Sequence, residues 1–591
     1  MSQFPQHRLL RPAVARLAAA VAAAYGLVSP WSPALAQATT AAAPTPPRAA
    51  TPVGGGIKWT FDGELSQGAI WRTSSRNPAL VGPSNGGRDS TDLADDGNLN
   101  SNRGKLVSAP TILLGTVEAE AGRHRVLLRG SAVHDAPVVS TWRHWGADPD
   151  SEGLKRQVRN DVGRRARLLD AYYATSADLD DAGNVEFKLG RQSIVWGEAK
   201  FLQGGINMFN PVQAWKTHAA GISLKEFVLP VAAAQATWQL NAKLTLQGFY
   251  QLERAKFEYD PVGTFFSDID LLGKGAGNSL VVPFAPPLLR GTDSGYKRKG
   301  QYGVAAFTQL DDWGLGFYFT NLTQRAAKVS GQGLNGATSY FHEWPSDVKT
   351  LGMSFVRGLG TAALSGEIAV RHGMPIGLDP AAVGAARTGA ALCGAVIRAP
   401  ANCGVDFALP PFSIRGIPPL FTTPLRADAN GYVKGWTRVN QVALNLGLTQ
   451  AFSGSDALPK MLGANGGALF LEANAIHSSL PDPSVLPTAV KDRWHGSVFS
   501  QLSVNYLRVA GSNVTITPRL IVQTWILGDD PTQAPFFKGR WAVSPAVRFH
   551  REQAPDLSLE IAYTSISDHG SRGLHALSDR DYFAVLVKYA F

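Results

Sequence analysis

Over most of this chain, apolar and polar residues alternate in short runs. In the first run, Trp59, Phe61, Leu65, Ala69 and Trp71 interleave with Lys58, Thr60, Asp62, Glu64 and Ser66, a period of two that predicts a strand with one apolar face. Similar runs recur near 108–119, 124–134, 166–177, 185–195, 234–241, 243–253, 300–310, 313–323, 347–357 and 361–371, then near 434–449, 466–477, 496–508, 513–526, 541–551, 556–567 and 580–591. They predict about eighteen strands, with sixteen as the alternative count, each of roughly the length that crosses a bilayer when tilted. In the run 513–526, Val514, Ile516, Leu520 and Val522 are assigned to lipid, and Thr515, Thr517, Arg519 and Gln523 to the lumen. A charge on the lipid face near mid-membrane costs ~2–4 kcal/mol, so the alternation also sets the register. Pro518 removes a ladder donor and predicts a bulge there.

The connections add a direction. Short links (Ala121–Arg123, Asp178–Asn184, Asp311–Asp312, Gly358–Gly360, Ala510–Ser512, Arg551–Pro555) alternate with long ones (73–107, 135–165, 254–299, 324–346, 372–433). Short turns on one side and long loops on the other are the asymmetry of an outer-membrane barrel. The link 450–465 is long for its side and reads as a small periplasmic excursion. The closing run DRDYFAVLVKYAF sets Phe583, Val585, Val587, Tyr589 and Phe591 on one face. It resembles the C-terminal signal of bacterial outer-membrane barrels that the assembly machinery reads, with Phe583, Tyr589 and Phe591 as its aromatic positions.

Composition agrees. Only 17% of residues are charged, with 61 Gly, 14 Trp, 14 Tyr and 27 Phe, a balance unlike that of a cytosolic α/β enzyme or a disordered chain. No later segment is apolar and long enough for a spanning helix. At the start, Arg8, Arg11 and Arg16 precede the apolar run Leu17–Val28, and Ala34-Leu35-Ala36 supplies a small-x-small pattern. Residues 1–36 therefore read as an export signal cleaved near Ala36, 37–56 as a flexible low-complexity leader, and 57–591 as the barrel. The formal charge of +10 is spread among acids, which argues against a nucleic-acid partner. Cys393 and Cys403, the two cysteines, read as a loop disulfide in an exported chain.

One stretch breaks the alternation. LGRQSIVWGEAKFLQGGINMFNPVQAWKTHAAGISLKEFVLPV (189–231) begins as a strand and then runs apolar and Gly-punctuated for about forty residues, where exposed loops are normally polar. Counting connections makes 196–233 the third long loop, on the external side. In general porins, to which this architecture is similar, that loop folds inward and narrows the channel. Trp196, Phe201, Phe209 and Trp215 would be costly to leave in water. Arg191, Glu198, Lys200, Lys216, Lys225 and Glu226 bracket them with both signs of charge. Two readings stay open for these charges: a field across a constriction, or lumen ion pairs that pin the loop to the wall.

The blocks DDGNLNSNRGKLVS (95–108), GRQSIVWGEAKFLQGGINMFNPV (190–212), SLKEFVLPV (223–231), FFKGRWA (536–542) and the terminal DRDYFAVLVKYAF together resemble a proteobacterial outer-membrane family known as domain of unknown function 1302. The resemblance implies an outer-membrane barrel associated with uptake or efflux of hydrophobic compounds. QTWILGDDPTQAP (523–535) lacks the His-Asp pair expected there, and the Cys-containing loop looks particular to this chain.

Other chemistry is thinly represented. There is no G-x-S-x-G and no H-E-x-x-H, since His342-Glu343 runs into Trp344-Pro345, and GKGAGNS (273–279) lacks a strand-helix context. Asp92, Asp96 and Gly97 fit three positions of an EF-hand loop, but Ala94 and Arg103 break it. The run 89–102 therefore reads as a solvated turn, and neither metal nor cofactor is assigned. The resulting expectation is an all-β transmembrane antiparallel barrel with an inward-folded external loop. It would act as an outer-membrane channel or transporter for small hydrophobic or amphipathic organic solutes. Its partners would be outer-membrane lipid, the barrel assembly machinery and periplasmic transport components. The alternatives are a docking partner of a periplasmic export or uptake system, and a barrel hydrolase acting on lipid or peptide.

Overall fold

The computed structural model describes residues 56–140, 156–202, 204–218, 228–253, 255–278, 288–295, 299–334, 337–397, 425–530, 538–568 and 576–591. Residues 1–55, which hold the expected export signal and all but the last residue of the expected leader, lie outside these residues, as do Lys225, Glu226 and Cys403 and the side chain of Cys393 in the helix Pro380–Ile397.

Eighteen antiparallel strands close into one barrel. In chain order they are Lys58–Arg72, Pro110–Ala121, His124–Asp135, Arg164–Asp178, Asn184–Gln192, Val231–Gln239, Leu244–Gln251, Tyr302–Leu310, Trp313–Leu322, Val348–Leu359, Ala362–Gly377, Trp436–Ser453, Gly466–Ser478, Trp494–Asn505, Val514–Leu527, Trp541–Arg551, Ala554–Ser567 and Tyr582–Ala590. Each pairs with its neighbours in sequence, and the first pairs with the last from Glu64↔Ala590 to Arg72↔Tyr582. Closure removes the unpaired edges of an open sheet. The short strand Leu106–Ser108 adds a local pairing to the first strand.

Eight short turns lie at one end and nine long connections at the other. The link expected as a periplasmic excursion holds a single helix, Ala457–Leu462. Outside, the wall is apolar: Leu65, Leu113, Leu128, Leu168, Phe187, Leu189, Val304, Phe317, Leu351 and Leu446 are all exposed. Such a surface suits hydrocarbon and not water, so the chain is an outer-membrane β-barrel. The strand Val514–Leu527 shows the register rule at work, with Leu520 outward and exposed, and Thr515 and Gln523 inward and buried.

Pro518 does not produce the expected bulge. Pairing with Trp494–Asn505 stops after Ser503↔Arg519 and resumes at the bridge Tyr506↔Ile516, in the same register. The missing N–H thus opens a gap in one ladder, while Pro518 stays paired to Val547 on the other side.

Loops at the long-connection end build a second, four-stranded sheet from Leu289–Arg290, Ala337–Glu343, Lys328–Leu334 and Tyr432–Val433. The Glu343 carboxylate binds it together by accepting from Tyr432 Oη at 3.0 Å, Trp436 Nε1 at 2.8 Å and the Ser330 hydroxyl.

Candidate functional site in the lumen

The third long connection spans 193–230, three residues earlier at each end than the sequence suggests, because Val231–Gln239 is already a strand. It folds into the barrel. Ile194, Trp196, Ile206 and Phe209 pack against inward-facing Ala233, Phe249, Ala305, Phe307, Tyr318, Ala369, Ala443 and Ile476. Further round the wall, Phe201 stacks on Phe499 at 4.1 Å between centroids and meets Phe470 edge-on at 4.6 Å. Trp215 joins a separate apolar cluster with Ile112, Val133, Val158 and Val212. The loop thereby covers the inner wall from Val231–Gln239 to Trp494–Asn505 and, through Trp215, the ends of Pro110–Ala121 and His124–Asp135 near Ile112 and Val133.

The wall is built to receive it. Small residues stand inward where the loop is bulky: a Cβ on Gly303 would lie 2.8 Å from the Trp196 ring, and one on Gly352 would lie 2.7 Å from the Ile206 side chain. Trp196 is fully buried, with its indole N–H donated to Gln247 Oε1. Asn210 braces the neck of the loop, accepting from the Ile194 N–H at 3.2 Å and donating to the Ile194 carbonyl at 2.6 Å.

Two wall carboxylates hold the loop backbone. Glu367 accepts the N–H groups of Glu198, Ala199 (3.2 Å) and Ile206 (2.7 Å). Glu472 accepts those of Lys200 (3.0 Å), Phe201 (3.0 Å) and Leu202 (2.9 Å), with Asn445 Nδ2 at 3.2 Å. Arg371 completes the clamp by donating to the carbonyls of Gly204 and Gly205. Hydrogen bonds to a charged group contribute roughly 1.5–3 kcal/mol each, and the ladder cannot supply them because the loop is neither helix nor strand there. A side chain on Gly205 would overlap Glu367 Oε1 at 1.9 Å, so glycine is what lets the carboxylate reach the backbone. Sequence reading passed over Glu367, Arg371 and Glu472. The available signal was an acid at an inward position among Ser365, Gly366 and Ala369, or beside Phe470, where a solvated lumen residue would have polar neighbours.

The loop charges sit as follows. Arg191 ion-pairs with Glu253 at 2.8 Å and donates to the Pro230 carbonyl at 3.0 Å. Glu198 is buried, and one of its carboxylate oxygens has no hydrogen-bond partner; burial, then the Glu367 charge, raises its pKa well above the ordinary carboxylate range. Lys200 lies 5.4 Å over the Phe470 ring, and burial lowers its pKa. Lys216 is buried near the Ser131 hydroxyl at 3.4 Å. Lys200 and Lys216 thus meet the wall at Phe470 and Ser131, and Glu198 meets it through its backbone N–H on Glu367.

The rest of the wall carries paired charges. On adjoining inward positions Arg125 pairs with Glu186 (3.4 Å), Arg129 with Asp170 (2.8 Å), Arg519 with Glu560 (2.8 Å) and Lys588 with Glu64 (2.7 Å). Lys188 lies 3.9 Å over the Tyr172 ring. The lumen therefore has a lined apolar side and a charged side.

The model of a family described as a protein of unknown function, DUF1302, matches residues 17–591. The chain belongs to this family. The DUF1302 barrel is also similar to three solved structures. A BenF-like porin from Pseudomonas fluorescens Pf-5 is 10% identical, with 90% of this chain and 98% of that chain covered and a TM-score of 0.40. OccK9 (OpdG) of Pseudomonas aeruginosa is 11% identical with the same coverage and a TM-score of 0.39. OpdK of the same organism, crystallised with vanillate, is 9% identical, again with 90% and 98% covered, at 0.38. Comparison of the DUF1302 chain with curated proteins finds no match.

Proposed function

We propose that this barrel is an outer-membrane channel for small hydrophobic or amphipathic organic solutes, with its lumen narrowed by the loop 193–230. The observation that carries the reading is the division of the inner wall. The loop fills the apolar part of the wall, and on the charged part Arg125, Glu186 and Arg129 remain part-exposed towards the remaining space. A solute crossing there meets alternating donors and acceptors on one side and the clamped loop on the other, which suits a polar head on an apolar body. Arg191, Trp196, Glu198, Lys200, Phe201, Phe209, Trp215 and Lys216 shape the constriction by holding the loop, and Arg125, Arg129 and Lys188 contact the solute. Lys225 and Glu226 keep the part assigned to them from sequence.

The test is flux through purified protein in liposomes and in planar bilayers. Small aromatic and amphipathic solutes should permeate faster than neutral sugars of equal size, and Arg129→Ala should change ion selectivity without changing assembly. Absence of any permeability, including after deletion of residues 197–215, would sink the channel reading. Co-purification with periplasmic components in the absence of flux would favour a docking role.

A further inference from the structure

The acidic segment of the first long loop has a geometry that the channel reading does not use. The run expected to be a solvated turn is packed down: Asp95 is 1% exposed, Asn98 0% and Leu99 4%. It forms one helical turn, Asp96–Leu99, wedged against the fourth long loop. There the Asp270 N–H donates to the Leu93 carbonyl at 2.7 Å and the Asp95 N–H donates to Asp270 Oδ2 at 3.2 Å. Gly97 has no room for a side chain, because a Cβ would lie 2.4 Å from the Thr264 carbonyl oxygen. Residues far apart in sequence are thus brought together, with one oxygen from each of Asp95, Asp96 and Asp270 within 4.8 Å of the others.

Each buried member of the cluster has one satisfied and one orphaned oxygen. Asp95 Oδ2 accepts from the Gly82 N–H at 2.8 Å and from Asn85 Nδ2 at 3.0 Å. Oδ1 of Asp95 and Oδ1 of Asp270, however, are buried and have no hydrogen-bond partner. An orphaned carboxylate oxygen is costly away from water, and ionised neighbouring carboxylates cannot relieve it because they only accept. Like charges at this separation add repulsion. A hard cation answers both problems at once.

We propose that Asp95, Asp96 and Asp270 form a divalent-cation site that fastens the first long loop to the fourth, with Ca2+ as the fitting ion. Ca2+ takes carboxylate, carbonyl and water oxygens in a flexible shell, whereas Mg2+ demands near-octahedral geometry and keeps its waters. Asp96 is only partly buried and gives the ion a path from solvent. Asn100 Nδ2 donates to the Gly263 carbonyl at 2.9 Å just beyond the cluster, so the clip would set how these two loops sit together.

The test uses full-length protein in detergent, stripped with EDTA and titrated calorimetrically with CaCl2, with thermal unfolding followed in parallel. Asp270→Asn keeps the size of the side chain and an acceptor oxygen for the Asp95 N–H. The wild type should bind one Ca2+ with a dissociation constant of about 1 mM or tighter, the range of extracellular sites, and unfold at higher temperature when loaded. Asp270→Asn should bind at least about tenfold more weakly, with an unloaded unfolding temperature equal to or above that of the stripped wild type. A wild type that shows neither heat nor a shift at about 10 mM CaCl2, or an Asp270→Asn that binds as tightly as wild type, overturns the site. Unfolding that responds to pH and not to CaCl2 points to a proton shared by the carboxylates and overturns it equally.

Discussion

Glu472 Oε1 accepts the backbone N–H of Leu202 at 2.9 Å across 270 residues of sequence. With the Lys200 and Phe201 bonds to its other oxygen, this makes one wall carboxylate the local substitute for secondary structure in the loop.

Removing it should free the loop before it harms the barrel. Glu472→Ala leaves three N–H donors, one buried and two part-buried, without an acceptor, at a cost of about 3 kcal/mol or more. Single-channel conductance should rise and become noisier, and protease should cut between 197 and 215. The heat-modifiable mobility of the barrel on gels should be unchanged. Glu472→Gln, which keeps one acceptor oxygen, should fall between the two.

A steric test of the same seat comes from Gly303. Gly303→Ala places a methyl 2.8 Å from the Trp196 ring and 2.6 Å from Phe249, so one of them must move at a cost of roughly 1–3 kcal/mol. The loop should loosen as in Glu472→Ala. Trp196→Leu added to Gly303→Ala should restore part of the protection, and if the double variant is no better protected than Gly303→Ala alone, the Trp196 contact is not what Gly303 serves.

The strand pattern was largely readable because each strand has one face in lipid and one in the lumen, and a period of two survives such an environment. All eighteen runs correspond to strands, and the inward fold of the third loop follows from its apolar surface. What eluded reading was long-range: Glu367, Glu472 and Arg371 look like ordinary inward residues of their own strands, and only the folded loop makes them clamps. The solvated-turn expectation for 89–102 failed for a related reason, since Asp270 is 175 residues from Asp95 and burial of the turn depends on it.

Acid should loosen the external four-stranded sheet. His342 donates from Nε2 to the Leu271 carbonyl at 2.7 Å. Burial first, then Arg290, lowers its pKa to about 4, so it is neutral at pH 7. The unfolded segment binds a proton near the ordinary value of about 6.5, so stability contributed by neutral His342 is present above that pH and is lost as pH falls towards 4. Asp293, 3.5 Å from Nδ1, offsets this only in part. Hydrogen exchange in Ala337–Glu343 should therefore accelerate between about pH 6.5 and 4, and His342→Gln should flatten the dependence.

Closure of the barrel should be sensitive at Gly63. The N–H groups of Gly63 and Phe591 each donate to the other's carbonyl, at 2.7 and 2.9 Å, and a Cβ on Gly63 would lie 2.2 Å from the Phe591 ring. Gly63→Val should lower the yield of folded, heat-modifiable barrel in the outer membrane. Phe583→Ala and Tyr589→Ala should reduce assembly with the wild-type Gly63, as positions of the terminal signal.

That pairing also orders events in time. The seam joins the first strand to the last, so the cylinder is an open, curling sheet until the final residues of the chain arrive. Most of the wall that receives the loop 193–230 lies across from this seam, on strands whose contacts with one another are mostly local, while Trp215 reaches Ile112 on the strand beside it. The loop can therefore settle on its glycine and alanine seat while the sheet is still open. Closing that span of more than five hundred residues carries the largest loop-closure cost of any strand pairing in the barrel.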